Sequence, residues 1–120
     1  MGRSSDANFN NIIKHIIKKS LFTERQIQII LNQRELQKTT FNITKGAYFR
    51  QVRQSREKLV GLFYSVILLR GLGVLLPKDM EMLSRLSNQV FVIQSGDVFP
   101  EREEEIMSVI GELLNRACRL

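Results

Sequence analysis

Apolar residues recur along most of this chain at spacings of three and four, the period of helices with one buried face. Phe9, Ile12, Ile13, Ile16 and Ile17 mark a first helix, which Asn8 or Asn10 can cap. Thr23-Glu24-Arg25-Gln26 has the form of a capping box. It opens a second helix with Ile27, Ile30 and Leu31 as the expected buried stripe, fading near Leu36. Gln37 to Asn42 mixes β-branched and turn residues, which predicts an irregular or extended connection. Thr44 then caps a long third helix that Arg70-Gly71-Leu72-Gly73 ends or kinks. Pro77 suits the first position of a fourth helix, carrying Met80, Leu83, Leu86, Val90, Phe91 and Ile93. Ser95-Gly96-Asp97 reads as a turn, and Pro100 starts a fifth helix, acidic at its beginning and basic at its end. With residues 1–7 expected to be flexible, the pattern predicts an all-α fold: one domain over residues 1–120, a bundle of about five helices around a long central one.

The central helix changes character along its length. Wound at about 100° per residue, it places Tyr48, Phe49, Val52, Ser55, Leu59, Phe63 and Val66 on one face. Gly46, Ala47, Arg50, Gln51, Arg53, Gln54, Glu57 and Lys58 fall on the other. From Leu59 to Leu69 the apolar face widens as in a helix buried all round, so this half is expected to be core. The stretch Leu59–Leu76 approaches the length of a membrane span, but Arg70 interrupts it and Gly71 and Gly73 follow at once. A buried helix, and no membrane partner, is the expectation.

Charge sharpens the division. Residues 1–58 carry 12 Lys/Arg against Asp6, Glu24, Glu35 and Glu57, a net of +8, whereas residues 59–120 carry 6 basic against 8 acidic groups, a net of −2. The asymmetry implies either a basic functional face in the first half or a generally basic solvated surface. Lys14, Lys18 and Lys19 either complement the carboxyl end of the first helix or meet phosphate. Cys118 is the single cysteine, which excludes an intramolecular disulfide and a thiolate cluster within one chain. No apolar leader follows Met1, and a reducing cytoplasm is the expected location.

Catalysis finds few candidates. His15 is the lone histidine, without a nucleophile or carboxylate at a recognisable spacing. The acidic run Glu101 to Glu105 suits a helix start, and Gly71-x-Gly73 follows a helix rather than a strand. No enzyme activity, cofactor, metal or small-molecule substrate is expected. The opening of the third helix is more suggestive. Thr44, Lys45 and Gly46 can sit against a phosphate, since a helix start has spare N–H groups and partial positive charge. Arg50, Gln51, Arg53 and Gln54 are side chains suited to base edges in a major groove. Lys58, Arg34 and Lys38 suit phosphates. The plainer alternative is a solvated Arg/Gln face.

Thr23-Glu24-Arg25-Gln26-Ile27-Gln28-Ile29-Ile30-Leu31, followed by Ile43-Thr44-Lys45-Gly46-Ala47 through Arg56-Glu57-Lys58-Leu59, resembles a helix-turn-helix of the sigma-factor or LuxR response-regulator kind. The resemblance spans residues 23–59 and implies a groove-facing set of Lys45, Gly46, Tyr48, Arg50, Gln51 and Gln54. The short middle helix of those families has no counterpart between Arg34 and Asn42, so the motif is atypical. More distantly, the chain resembles small all-helical DNA-binding modules of archaea. The function so implied is non-enzymatic binding of double-stranded DNA, of the transcription or replication accessory type. The alternative is a helical interaction or dimerisation module, a homodimer through Leu59–Leu76 or Met80–Ile93. RNA or an anionic membrane surface is a third possibility.

Overall fold

The structure is a computed structural model that describes residues 9–94 and 100–120. Among them are five helices and no strand: α1 (Asn11–Lys19), α2 (Glu24–Gln33), α3 (Lys45–Gly71), α4 (Pro77–Ile93) and α5 (Pro100–Ala117). The expected flexible segment 1–7, the Asn8 cap and the Ser95-Gly96-Asp97 turn lie outside the described residues.

The boundaries follow from local chemistry. Asn10 caps α1, its Oδ1 accepting from the Ile13 N–H at 2.9 Å. Thr23 and Gln26 close a reciprocal capping box on α2, at 3.1 and 3.0 Å. The Thr44 hydroxyl accepts from the Ala47 N–H at 3.1 Å to start α3. At the start of α4, Pro77 takes the first position and the Asp79 carboxylate accepts from the Leu76 N–H at 2.9 Å.

Two helices stop by the same left-handed device, in which the residue beyond the cap turns to positive φ and two N–H groups close back on the last turn. After α3 that residue is Gly73 (φ 82), with Gly73 N–H to Arg70 O at 3.2 Å and Val74 N–H to Leu69 O at 2.9 Å. After α2 it is Glu35 (φ 58), with Glu35 N–H to Asn32 O at 3.1 Å and Leu36 N–H to Leu31 O at 2.9 Å. Glycine reaches this region freely, whereas a residue with a Cβ meets strain there. Arg70, the cation inside the apolar stretch, reaches across the turn after α3 and donates to Leu75 O at 2.7 Å.

The helix pairs in broad contact are α2 with α3, α1 with α2, and α1 with α5. Only Ile12, Ile17 and Ile29 among the described apolar side chains are fully buried. The shape is correspondingly open. The radius of gyration is 16.1 Å, against about 13.6 Å for a compact chain of 120 residues. Its thinnest dimension is 21 Å, about two helix diameters.

This arrangement corrects three expectations. The carboxyl half of α3 is not core: Leu59, Leu62, Val66 and Leu69 are half-buried along one side, but Phe63, Tyr64, Ile67 and Leu68 are exposed on the other. A two-layer molecule has no element to lay over that second side. In α2 the fully buried residues are Gln28 and Ile29, not Ile27, Ile30 and Leu31, because the face turned inward also carries the polar Asn32. In α4 no residue is fully buried; the half-buried row is Asp79, Met82, Leu86, Val90 and Ile93, which leaves the expected Met80, Leu83 and Phe91 exposed. The carboxyl end of α4 is tied to α1 by Asn10 Nδ2 donating to Ile93 O at 2.7 Å.

Candidate nucleic-acid interface

The amino-terminal half of α3 is fixed from behind by a polar and aromatic junction with α2. Tyr48 lies at its centre: its hydroxyl donates to Gln33 Oε1 at 2.7 Å and accepts from Asn32 Nδ2 at 2.8 Å. Asn32 Oδ1 accepts in turn from the Thr39 N–H at 3.1 Å, holding the connection between the helices. The Tyr48 ring packs on Phe41 and Phe49, at 5.4 and 5.2 Å between centroids, and the Arg25 guanidinium sits 5.4 Å over Phe41. Two turns further, Ser55 is buried against α2, and its Oγ has no hydrogen-bond partner among the described residues. A small side chain here lets the helices approach closely.

Lys58 closes the far end of the junction. Its ammonium donates to Leu21 O at 2.7 Å and to Gln26 Oε1 at 2.9 Å, and lies 5.9 Å over the Phe22 ring. The same Gln26 oxygen completes the capping box, so Lys58 clamps the turn between α1 and α2 to α3.

With Val52, Tyr48 and Ser55 turned toward α2, the opposite face of α3 points to solvent. Gly46, Arg50, Arg53 and Gln54 are exposed there, as the sequence pattern anticipates, and Lys45 is exposed on the flank beside Phe49. A Cβ at Gly46 would meet nothing within 4 Å, so another molecule has open access to the backbone. Thr44 stands at the helix start with its hydroxyl accepting from Ala47, while the N–H groups of Lys45 and Gly46 have no partner among the described residues. Lys38 and Arg34 are exposed on the connection between α2 and α3.

Three expected members stand differently. Tyr48 faces inward, because its hydroxyl finds two amide partners on α2 that solvent exposure would forfeit. Lys58 is engaged by a carbonyl and an amide oxygen rather than free for phosphate. Gln51 is half-buried on the flank, nearer α2 than the outward row. Two residues not expected here join the surface. Phe49, placed by its spacing on the inner face, is 49% exposed. Arg56 is exposed seven residues, about two turns, further along the same side. Lys45 and Arg53 flank Phe49 at four-residue spacing, so the phenyl ring lies within a row of cations. The signal that finds Phe49 is its wheel position at the edge of the apolar arc, next to Lys45 and Arg56.

The cations of this surface are not neutralised from within. Ion pairs among the described residues are Arg85–Glu81, Arg102–Glu105 and Arg116–Glu112, all exposed and all on α4 or α5. Glu57, exposed one turn beyond Arg53, bounds the basic face. The described residues hold no cluster of side chains suited to a metal ion, and no described helix is long and apolar enough to cross a membrane.

Between α2 and α3 the chain runs from Arg34 to Thr44, longer than the three- or four-residue turn of the usual helix-turn-helix. Comparison with known protein families, with curated proteins and with solved structures finds no match.

Proposed function

We propose that this chain binds double-stranded DNA without enzymatic chemistry, using the amino-terminal half of α3 in a long-turn variant of the helix-turn-helix. The observation that carries the reading is the outward row of Lys45, Arg50, Arg53 and Gln54 on a helix anchored from behind, with its cations outside every ion pair among the described residues. A polyanion supplies the counter-charge that the fold does not. The N–H groups at the start of α3 and the side chain of Lys45 meet one phosphate, as helix starts do. Arg50, Arg53 and Gln54 carry donors of the geometry that reads purine edges, and a major groove admits an α-helix. Lys38 and Arg34 flank the row and meet neighbouring phosphates, which position the helix without reading sequence. Phe49 offers an apolar contact of the kind a thymine methyl accepts.

Fluorescence anisotropy with a labelled duplex tests this. Binding is expected in dilute buffer, and Arg50→Ala or Arg53→Ala each weakens it about fivefold or more, the loss of roughly 1 kcal/mol or more of charge-assisted contact. Arg116→Ala, on α5 and already paired with Glu112, leaves it unchanged. Equal losses at all three positions, or no binding in dilute buffer, would overturn the proposal.

A further inference from the structure

Eighteen large apolar side chains are exposed among the described residues, and twelve of them lie between Val60 and Val92. Their centre is a ridge on α3 formed by Val60, Phe63, Tyr64, Ile67 and Leu68, with Phe63 at 64% and Ile67 at 67% exposure. Beside it runs an open groove of about 300 Å³, walled by Leu59, Val60 and Phe63 and rimmed by Arg34 and Arg56. Gly61 and Ser65 lie alongside; an added Cβ at Gly61 meets nothing within 4 Å.

We infer that this ridge is a homodimer interface, covered by the same ridge of a second copy. Area argues for it first. A folded monomer of 13.9 kDa exposes about 6,700 Å² by the usual scaling of surface with mass, whereas this chain exposes 9329 Å². The difference, about 2,600 Å² summed over the whole chain, leaves room for the roughly 800 Å² that one partner covers in a standard interface. The small interior argues the same way, because three buried isoleucines are a thin core for five helices. Obligate dimers complete their core across the interface.

The chemistry of the ridge suits a copy of itself. It carries no charged residue between Leu59 and Leu69, so a two-fold axis through it sets neutral side chains of α3 against each other, with Arg34 and Arg56 at the rim of the groove. A bulky ring from Phe63 or Tyr64 has the partner's groove to enter, as aromatic anchors do at interface centres. The small residues Gly61 and Ser65 permit close approach. The ridge also leaves Lys45, Arg50, Arg53 and Gln54 free, since Arg50 and Tyr64 are about 21 Å apart along the helix axis, while Arg34 and Arg56 border both surfaces. Mass measured without DNA tests the inference separately from the DNA reading.

Light scattering coupled to size separation, on the full chain without DNA, tests it. The expected mass is twice 13.9 kDa. Ile67→Glu raises the dimer dissociation constant about a hundredfold or more, because a two-fold interface contains each substitution twice. Leu114→Glu, on α5, leaves it unchanged. Should Ile67→Glu fail to fold, a short bis-maleimide reagent decides the matter. In a Cys118→Ser background, Tyr64→Cys is expected to yield a covalent dimer and Arg53→Cys is not. A wild-type chain that is monomeric at every concentration would overturn the inference. So would a dimer that cross-links through Arg53→Cys but not through Tyr64→Cys.

Discussion

In the described residues up to Lys58, polar groups are drawn inward and cations are left outside ion pairs; in those from Leu59 on the positions are reversed. Asn32, Gln33 and Tyr48 bond to one another at the junction of α2 with α3, and Lys58 spends its charge on a carbonyl and an amide. Beyond Leu59, by contrast, the described ion pairs lie on the surface of α4 and α5, and the large side chains facing solvent are Phe63, Ile67, Phe91 and their neighbours. A single helix spans both regimes. The lesson is that α3 is specified by two different demands, a rigid polar seat for its first half and an apolar cover for its second.

The seat is where substitution is expected to do the most damage. Tyr48→Ala removes the ring from Phe41 and Phe49 and takes the hydroxyl from the part-buried Asn32 amide, costing about 3 kcal/mol in urea unfolding. Tyr48→Phe keeps the ring and costs about 1–2 kcal/mol. If both cost nothing, the first half of α3 is not held as described.

Ser55 sharpens the point, because two changes there have opposite signs. Ser55→Leu overfills the contact with α2 and costs about 1–3 kcal/mol. Ser55→Ala removes a buried hydroxyl without a partner and raises helix propensity, a gain of about 0.5–1 kcal/mol measured by the same unfolding experiment.

The two left-handed helix stops provide a paired test across the regions. Glu35→Gly relieves a Cβ in the left-handed region and stabilises by up to about 1 kcal/mol, while Gly73→Ala introduces one and costs about 1–2 kcal/mol. Thermal denaturation of the pair should show melting temperatures displaced in opposite directions.

The smallest effects concern surface charge. Arg85→Gln breaks an exposed ion pair with Glu81 and changes stability by less than about 0.5 kcal/mol. Glu57→Gln, by removing the acid at the edge of the basic face, strengthens duplex binding about two- to threefold at low salt, roughly 0.5 kcal/mol. A loss of affinity in that variant would argue that the face ends elsewhere.

What the sequence made legible was mostly local. Thr23, Thr44, Pro77 and Gly73 announce helix ends through bonds to residues three or four positions away, and the five helices begin and end close to those marks. The outward set Gly46, Arg50, Arg53 and Gln54 was legible for the same reason, since wheel position alone sets it. Wheel position places Tyr48 inward, the family resemblance alone places it outward, and the structure keeps it inward. The engagement of Lys58 went unseen because its partner Gln26 lies on another helix and nothing in the spacing announces a polar seam. Gln28 is buried where Ile27 was expected, by the same blindness. The stretch after Leu59 shows a different limit: apolar composition says that the segment avoids water, not which surface covers it.

The most direct test is the salt dependence of duplex binding, read as the slope of log affinity against log salt for wild type, Arg50→Ala and Arg116→Ala. Each phosphate contact contributes about −0.9 to that slope on B-form DNA, so a residue that neutralises a phosphate or feeds the same positive face makes the slope shallower when removed. The expected result is a steep wild-type slope, a shallower one for Arg50→Ala, and an Arg116→Ala line parallel to wild type. Three parallel lines, or an affinity indifferent to salt, would contradict the assignment of α3's outward face to a polyanion.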